Sequence, residues 1–279
     1  MPSVVNTNLA SLNAQRNLNG TQSMLSQSIQ RLSTGLRVNS AKDDAAGLAI
    51  AERMNSQIRG MNVAIRNAND GISLAQTAEG ALGKVGDMVQ RMRELAVQSA
   101  NSTNSTSDRA SLNTEYQQLG AEINRTLAGT QFNGLAILGA SAGALAFQVG
   151  PDTTANDVIT VTTINMATDA GVVAATAPAA GITTAALATA AIGLLDTVRD
   201  TVSTQRAAYG ATQNRFEAVI GVLSVTSENQ SAARSRIIDA DFASETAQLT
   251  KAQVLQQSGI AMLSQANSSP NAILSLLRQ

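Results

Sequence analysis

Ile58 to Ala96 reads IRGMNVAIRNANDGISLAQTAEGALGKVGDMVQRMRELA, and this stretch decides the fold class. Ile58, Met61, Ile65, Ala68, Ile72 and Ala75 alternate steps of three and four residues. That spacing stacks side chains along one face of an α-helix. After one shortened step, Ala78, Leu82, Val85, Val89, Met92 and Ala96 continue in the same way. The pattern predicts a single helix over Ala45–Gln98, roughly 80 Å long at the usual rise per residue. Gly71, Gly80, Gly83 and Gly86 interrupt it, each costing about 1 kcal/mol relative to Ala in an exposed helix. Close approach of neighbouring helices is expected to offset that cost.

Towards the N-terminus, Leu18, Leu25 and Leu32 recur every seven residues, with Ile29 and Leu36 on the alternate spacing. This is a coiled-coil seam; it predicts a helix over Val4–Thr34 that stops at Gly35. Asn39 and Ser40 make a break, and Asp43 and Asp44 place negative charge at the positive end of the next helix. Beyond the long helix, Ser99–Ser107 is a polar linker, followed by a shorter helix with Leu112, Tyr116, Leu119, Ile123 and Leu127 on one face. Asn133-Gly134 signals a tight turn. Leu145, Phe147 and Val149 alternate, Gly150-Pro151-Asp152 turns, and Val158–Ile164 is rich in β-branched residues, predicting one or two hairpins. Val172–Ala186 is a low-complexity Ala/Thr/Gly stretch expected to be irregular. Helix resumes near Leu187, with Leu195, Val198, Val202, Tyr209, Phe216, Val219 and Leu223 in phase. A last helix opens near Asp241, with Phe242, Leu249, Ala252, Ile260 and Leu263 along one side. Asn267-Ser268-Ser269-Pro270 is expected to interrupt it before an apolar end at Ile273, Leu274, Leu276 and Leu277.

The fold class that follows is mainly α: a long helical coiled-coil rod bundle with a small β-hairpin region between the N- and C-terminal halves. Three parts are expected. Residues 1–44 and 237–279 form paired terminal helices, 45–140 and 187–236 a helical rod, and 141–186 a small β-rich or loop insertion. The terminal stripes are too narrow to bury themselves alone, so those helices need each other, other chains, or both.

Composition narrows the function. The 279 residues include no Cys and no His, only 2% aromatics and 14% charged residues, with a formal net charge of -1. Disulfide frameworks, zinc sites and thiol redox chemistry are excluded, and the even charge balance argues against a nucleic-acid partner. Met1–Leu18 lacks the basic start and apolar stretch of a cleavable signal peptide. The uncharged run between Asp169 and Asp196 is broken by Pro178 and Gly181, which argues against a membrane span. Gly139-Ala-Ser141-Ala-Gly143 matches a nucleophile-elbow pattern, but no His exists to activate Ser141. Asp43-Asp44 and Asp239-Ala-Asp241 read as helix-start carboxylates rather than a cation site. Arg91, Arg93, Glu94 and Glu115 read as a solvated helix face. No cofactor, metal or catalytic residue is expected, and the exposed apolar tail is an association patch.

Longer motifs carry a resemblance. Arg31-Leu-Ser-Thr-Gly-Leu-Arg-Val-Asn-Ser-Ala-Lys-Asp-Asp-Ala-Ala-Gly-Leu-Ala-Ile50, Arg66-Asn-Ala-Asn-Asp-Gly-Ile-Ser73 and Arg91-Met-Arg-Glu-Leu-Ala-Val-Gln-Ser-Ala-Asn101 resemble the N-terminal signature of bacterial flagellin. Ala233-Arg-Ser-Arg-Ile237, Asp239-Ala-Asp241, Lys251-Ala-Gln-Val-Leu-Gln-Gln257 and Leu274-Ser-Leu-Leu-Arg278 resemble its C-terminal signature. Only about Ser141–Ala186 is available for the outer domains common in that family, so the resemblance is to a short form with a reduced outer region. It implies a structural subunit that self-polymerises into the hollow filament used for swimming. It also implies an inner coiled coil whose stripe here is Leu18, Leu25, Ile29, Leu32, Phe242, Leu249, Ile260 and Leu263. Implied partners are further copies of the chain, an export chaperone at the C-terminal helix, and filament cap and hook junction proteins. Passage through the flagellar export apparatus, and an extracellular location in the filament, follow from the same resemblance. By the family's motifs, Arg91, Leu95 and Glu115 match contacts of the mammalian Toll-like receptor for flagellin, with Met92 a mild departure. Leu274, Leu276 and Leu277, beside Ile273, match the tail read by a cytosolic sensor. The alternatives are a hook–filament junction protein, a secreted helical adhesin, and an enzyme embedded in the insert, whose known zinc-protease form the absence of His excludes.

Overall fold

A computed structural model of the chain describes residues 7–177 and 180–276. The elements in order are α1 (Leu9–Thr34), α2 (Ala45–Ala100), α3 (Thr106–Gly129), β1 (Gln131–Phe132), β2 (Leu135–Ala136), β3 (Ala144–Gln148), β4 (Val158–Thr162), α4 (Ala170–Thr176), α5 (Ala185–Ile238) and α6 (Phe242–Leu276). The chain divides into a terminal unit of residues 1–56 with 229–279 and a central unit of residues 57–228.

In the terminal unit, α1 begins where the Asn8 side chain accepts a hydrogen bond from Ser11 N–H at 3.1 Å. It ends where Gly35, at φ 72°, donates its N–H to the Arg31 carbonyl. Glycine takes that left-handed conformation at no steric cost. Residues 35–38 then run beside 238–240: Leu36 bridges Asp239, Arg37 N–H donates to Ile238 O at 2.7 Å, and Ala240 N–H donates to Gly35 O at 2.9 Å. Val38, Ala51 and Ile238 close a small core over this crossing. Asp44 caps α2 by accepting from Gly47 N–H at 2.7 Å. Asp43 instead ties the loop, accepting from Ser40 and Asn39, and the Ser40 bonds hold its carboxyl below the usual range. Asp241 caps α6 by accepting from Ala243 N–H at 2.9 Å.

Pro270 does not break α6, which continues to Leu276. A proline inside a helix leaves the carbonyl four residues earlier without its donor. Here that carbonyl belongs to Ala266, and the Asn8 side-chain amide donates to it at 2.7 Å. The cap of one helix therefore supplies the hydrogen bond that proline removes from the other.

The central unit is built on α2, α3 and α5, with α4 and the hairpins packed into the same core. Ser105 and Asp108 form a reciprocal capping box at the start of α3. Asn133 and Gly134 have φ of 48° and 80° and join β1 to β2 as a two-residue turn, as the sequence predicts. β3 and β4 pair antiparallel from Ala144 opposite Thr162 to Gln148 opposite Val158. The Val172–Ala186 stretch is not wholly irregular. Asp169 accepts from Gly171 and Val172 N–H and starts α4, whose Val172 and Ala175 are buried. Pro178 and Ala179 lie outside the described residues; beyond them, Ile182 N–H donates to Asn113 Oδ1 at 2.8 Å.

Of the four glycines expected to permit close helix packing on α2, one clearly does. A β-carbon on Gly71 would stand 2.5 Å from the Phe216 ring, whereas Gly80 and Gly83 face open space and Gly86 would make ordinary contact at 3.8 Å. Phe216 is fully buried and meets Phe147 edge-on, with ring centroids 5.6 Å apart. Gly71→Ala is therefore expected to lower stability by about 1–3 kcal/mol through overpacking. Gly80→Ala, at an exposed site, is expected to raise it by about 0.5–1 kcal/mol. Thermal unfolding of the two variants beside the wild type checks both signs.

Tyr116 and Tyr209 are the chain's two tyrosines, and both are buried in this core. Tyr116 donates its hydroxyl to Ala175 O at 3.1 Å. Burial pushes each phenol up to about 12, against about 10 in the unfolded chain. Between those values the unfolded state gives up protons that the folded state keeps. The tyrosines' contribution to stability is thus intact below about pH 10 and falls as pH rises towards 12, by about 1.4 kcal/mol per pH unit per tyrosine. Phenolate absorbance is expected to appear together with loss of helical circular dichroism; phenolate forming at pH 10 in a fully helical chain would contradict the burial.

Candidate assembly and recognition surfaces

No catalytic arrangement forms around Ser141, which is exposed in a turn. Among the described residues no group of three His, Cys, Asp or Glu could hold a metal ion, and no helix is long and apolar enough to cross a membrane. Asp43, Asp44 and Asp241 accept local backbone hydrogen bonds, and Asp239 accepts from the Ser235 hydroxyl at 2.6 Å. These carboxylates are structural.

The terminal unit presents the first surface. α1 and α6 pack antiparallel, tied by Ser11 Oγ to Asn267 Oδ1 at 2.8 Å and by the Gln256 amide to Gln22 at 2.9 Å. The seam between them is made of small and polar residues. Ser11, Thr21 and Ser28 on α1 and Glu245 and Ala252 on α6 are buried. Leu18, Leu25, Leu32, Leu249 and Leu263 are half-buried beside them. Three residues assigned to the stripe lie off it: Ile29, Phe242 and Ile260 are 52%, 57% and 54% exposed. The reason is geometric. An antiparallel pair this close needs Ala252 and Gly259 on its seam, with the β-carbon position of Gly259 only 3.4 Å from Leu18 Cδ1. Bulkier residues are displaced to the flanks.

Those flanks carry further apolar residues that the sequence reading passed over: Leu9, Leu12, Met24, Val254, Leu255 and Met262, all exposed. Met24, Leu255 and Met262 line one groove along the pair. Leu255 and Met262 are themselves seven residues apart, a second heptad phase that could have marked this face. At the end of α6, Leu277 lies outside the described residues, as do the side chains of Ile273, Leu274 and Leu276.

The second surface is on the central unit, where α2 and α3 bring Arg91 and Glu115 together. Arg91 Nε donates to Glu115 Oε1 at 2.9 Å and Nη1 to Glu94 Oε2 at 3.0 Å. Both carboxylates, Glu115 first, raise the guanidinium's pKa further above its ordinary value. Leu95 does not join them at the surface. It is 1% exposed, in the core beneath. Nearby, Arg93 Nε donates to Asp196 Oδ1 at 2.9 Å and Arg199 stands 3.2 Å from the same oxygen. The Arg93 bond holds the Asp196 carboxyl below the usual range. This link between α2 and α5 has no signal in sequence spacing.

Comparison with known proteins places this architecture. The family model for the bacterial flagellin N-terminal helical region matches residues 5–142, and that for the C-terminal helical region matches residues 192–277. A flagellin of Halalkalibacterium halodurans is 45% identical over 275 residues, covering 99% of this chain and 100% of that one. The chain belongs to the flagellin family. A flagellar filament 33 kDa core protein of Treponema phagedenis is 42% identical over 288 residues, covering 99% of this chain and 100% of its own. The crystal structure of Bacillus cereus flagellin is 30% identical, with a TM-score of 0.50, over 61% of this chain and 94% of that one. This flagellin-family chain spans the full length of both sequence relatives.

Membership does not by itself separate surface from core on α2, but variants do. Arg91→Ala is expected to leave the thermal midpoint unchanged, because an exposed ion pair contributes little. Leu95→Ala, one helical turn away, is expected to cost about 2–5 kcal/mol as a core truncation. Chemical denaturation of both variants checks the contrast.

Proposed function

We propose that this chain is the repeating structural subunit of an extracellular flagellar filament. The observation that carries the reading is the apolar surface left on both helices of the α1–α6 pair. Each helix covers one side of the other and leaves Leu9, Leu12, Met24 and Ile29, and Val254, Leu255, Ile260 and Met262, exposed. Covering such a surface contributes about 25 cal/mol per Å². A contact between different faces of successive copies propagates as a helical polymer rather than closing on itself. The family relation over the full chain supports the same reading, and no observation favours a hook–filament junction role. In the polymer, the helices of 1–44 and 237–279 would form the inner coiled coil, 45–140 and 187–236 the surrounding helical layer, and 141–186 the outward segment.

The finer assignments follow from that reading. Ile273, Leu274, Leu276 and Leu277 would seal contacts between copies, and an export chaperone would hold α6 before secretion through the flagellar apparatus. Cap and hook junction proteins would occupy the filament ends. Arg91 and Glu115, exposed and mutually positioned, are the groups a Toll-like receptor could read, with Leu95 supporting their helix from within.

Seeded polymerisation tests the proposal. Purified chain mixed with sheared filament seeds should grow filaments of uniform diameter under the electron microscope. A chain lacking Ile273–Gln279 should keep its helical content and remain unpolymerised. Wild-type chain that stays monomeric beside seeds from its own source would overturn the filament reading. Normal filaments from the truncated chain would show that the tail patch is dispensable.

A further inference from the structure

The α1–α6 seam has a weakness: its buried residues are Ser11, Thr21, Ser28 and Ala252, with Gly259 and Ala266 continuing the row. These small side chains, and the leucines Leu18, Leu25 and Leu32 that recur every seven residues beside them, discriminate poorly between one alignment and another a heptad away. They also discriminate poorly between α1 pairing with α6 and either helix pairing with its own kind. One contact on the seam is different. Arg31 Nη1 lies 3.6 Å from Glu245 Oε2, with the two side chains 22% and 7% exposed. Neither Arg31 Nε nor Glu245 Oε1 has a hydrogen-bond partner, although both atoms are buried.

The charge inventory of the two helices makes that contact unique. α1 carries Arg16 and Arg31 and no acid. α6 carries Glu245 as its one acid and Lys251 as its one base. Sliding α6 by one heptad one way would set Glu245 against Met24 and Arg31 before the start of α6; sliding it the other way would set Arg31 against Ala252 and Glu245 beyond the end of α1. Either slip sets one of the two charges against the partner helix without its counter-ion and carries the other past that helix's end, which is unfavourable, whereas a buried pair is close to neutral beside an apolar alternative. Pairing α1 with a second α1 would bring arginines together. The bridge between Leu36 and Asp239 anchors the adjoining ends of the pair, and Arg31 with Glu245 is the charged contact on the seam beyond it.

We propose that Arg31 and Glu245 are the specificity determinant of this helix pair, selecting both the partner and the axial alignment rather than supplying net stability. Buried polar groups act this way in coiled coils, where they set register at some cost in stability. The inference concerns the folding of a single chain and does not rest on the filament reading.

The chain has no cysteine of its own, so introduced pairs report alignment without background. Leu18→Cys with Gly259→Cys reports the observed alignment, and Leu18→Cys with Ala252→Cys reports a one-heptad slip. In the full-length chain with Arg31 and Glu245 intact, the first pair should crosslink within one molecule and the second should not. Arg31→Glu or Glu245→Arg alone should lower the first crosslink about tenfold or more, and Arg31→Glu with Glu245→Arg together should restore it. Arg31→Met with Glu245→Leu separates specificity from stability. Helical content should persist, while the slipped crosslink and intermolecular disulfides appear. Single variants that crosslink as the wild type does, a charge swap that fails to restore the native crosslink, or an apolar double variant that keeps one alignment would each overturn the proposal. So would a chain with Arg31 and Glu245 intact that does not form the native crosslink.

Discussion

The ring of Phe216 against the backbone of Gly71 is the contact on which the central unit depends. A chain with 2% aromatics has few large side chains with which to fill a core between long helices. It compensates by letting backbones approach closely at Ala68, Gly71, Ala75 and Ala78 and placing its few rings where they fill the most space. Phe216 touches α2 at Gly71, where its ring leaves no room for a methyl group, and reaches Phe147 on the hairpin. Tyr116 and Tyr209 fill the same core elsewhere. Interiors are packed as densely as crystals of small molecules, so a single added carbon at such a point is felt throughout.

The two units solve the burial problem differently. The central unit encloses its apolar faces with α3, α4 and the β3–β4 hairpin, and even its low-complexity stretch contributes Val172, Ala175 and Ile182 to the core. The terminal unit rests mainly on the α1–α6 pair and a small crossing, and two helices can cover only one face of each other. Its seam is given over to small and polar residues, while leucines, valines and methionines stand on the flanks. A protein built to remain alone would place them the other way round. The arrangement is the physical counterpart of family membership: the residues that hold the pair together differ from those left for neighbours.

Polar contacts divide along the same line. Arg91 with Glu115, and Arg93 with Asp196, sit at the surface of the central unit. Screening makes such pairs weak contributors to stability. Arg31 with Glu245 is enclosed on a seam that has little else to define it, and there the same chemistry acts through the cost of mismatching it.

Sequence by itself determined the helical class, the order of elements and most boundaries, because three–four spacing, caps and turns are local. Gly35, Asp44 and Asp241 end or begin helices where their chemistry requires, and Asn133-Gly134 adopts the turn that its residue types favour. The long motifs at both ends also made the family legible. Tertiary structure alone decided what depends on a partner distant in the chain. It selected Gly71 rather than Gly80 as the point of close approach, since only Phe216 distinguishes them. It let α6 run through Pro270, because Asn8, more than 250 residues earlier, satisfies the freed Ala266 carbonyl. It buried Leu95, and it moved Ile29, Phe242 and Ile260 off the seam. A heptad pattern shows that a helix has an apolar face, but how close its partner comes decides which residues that face can hold.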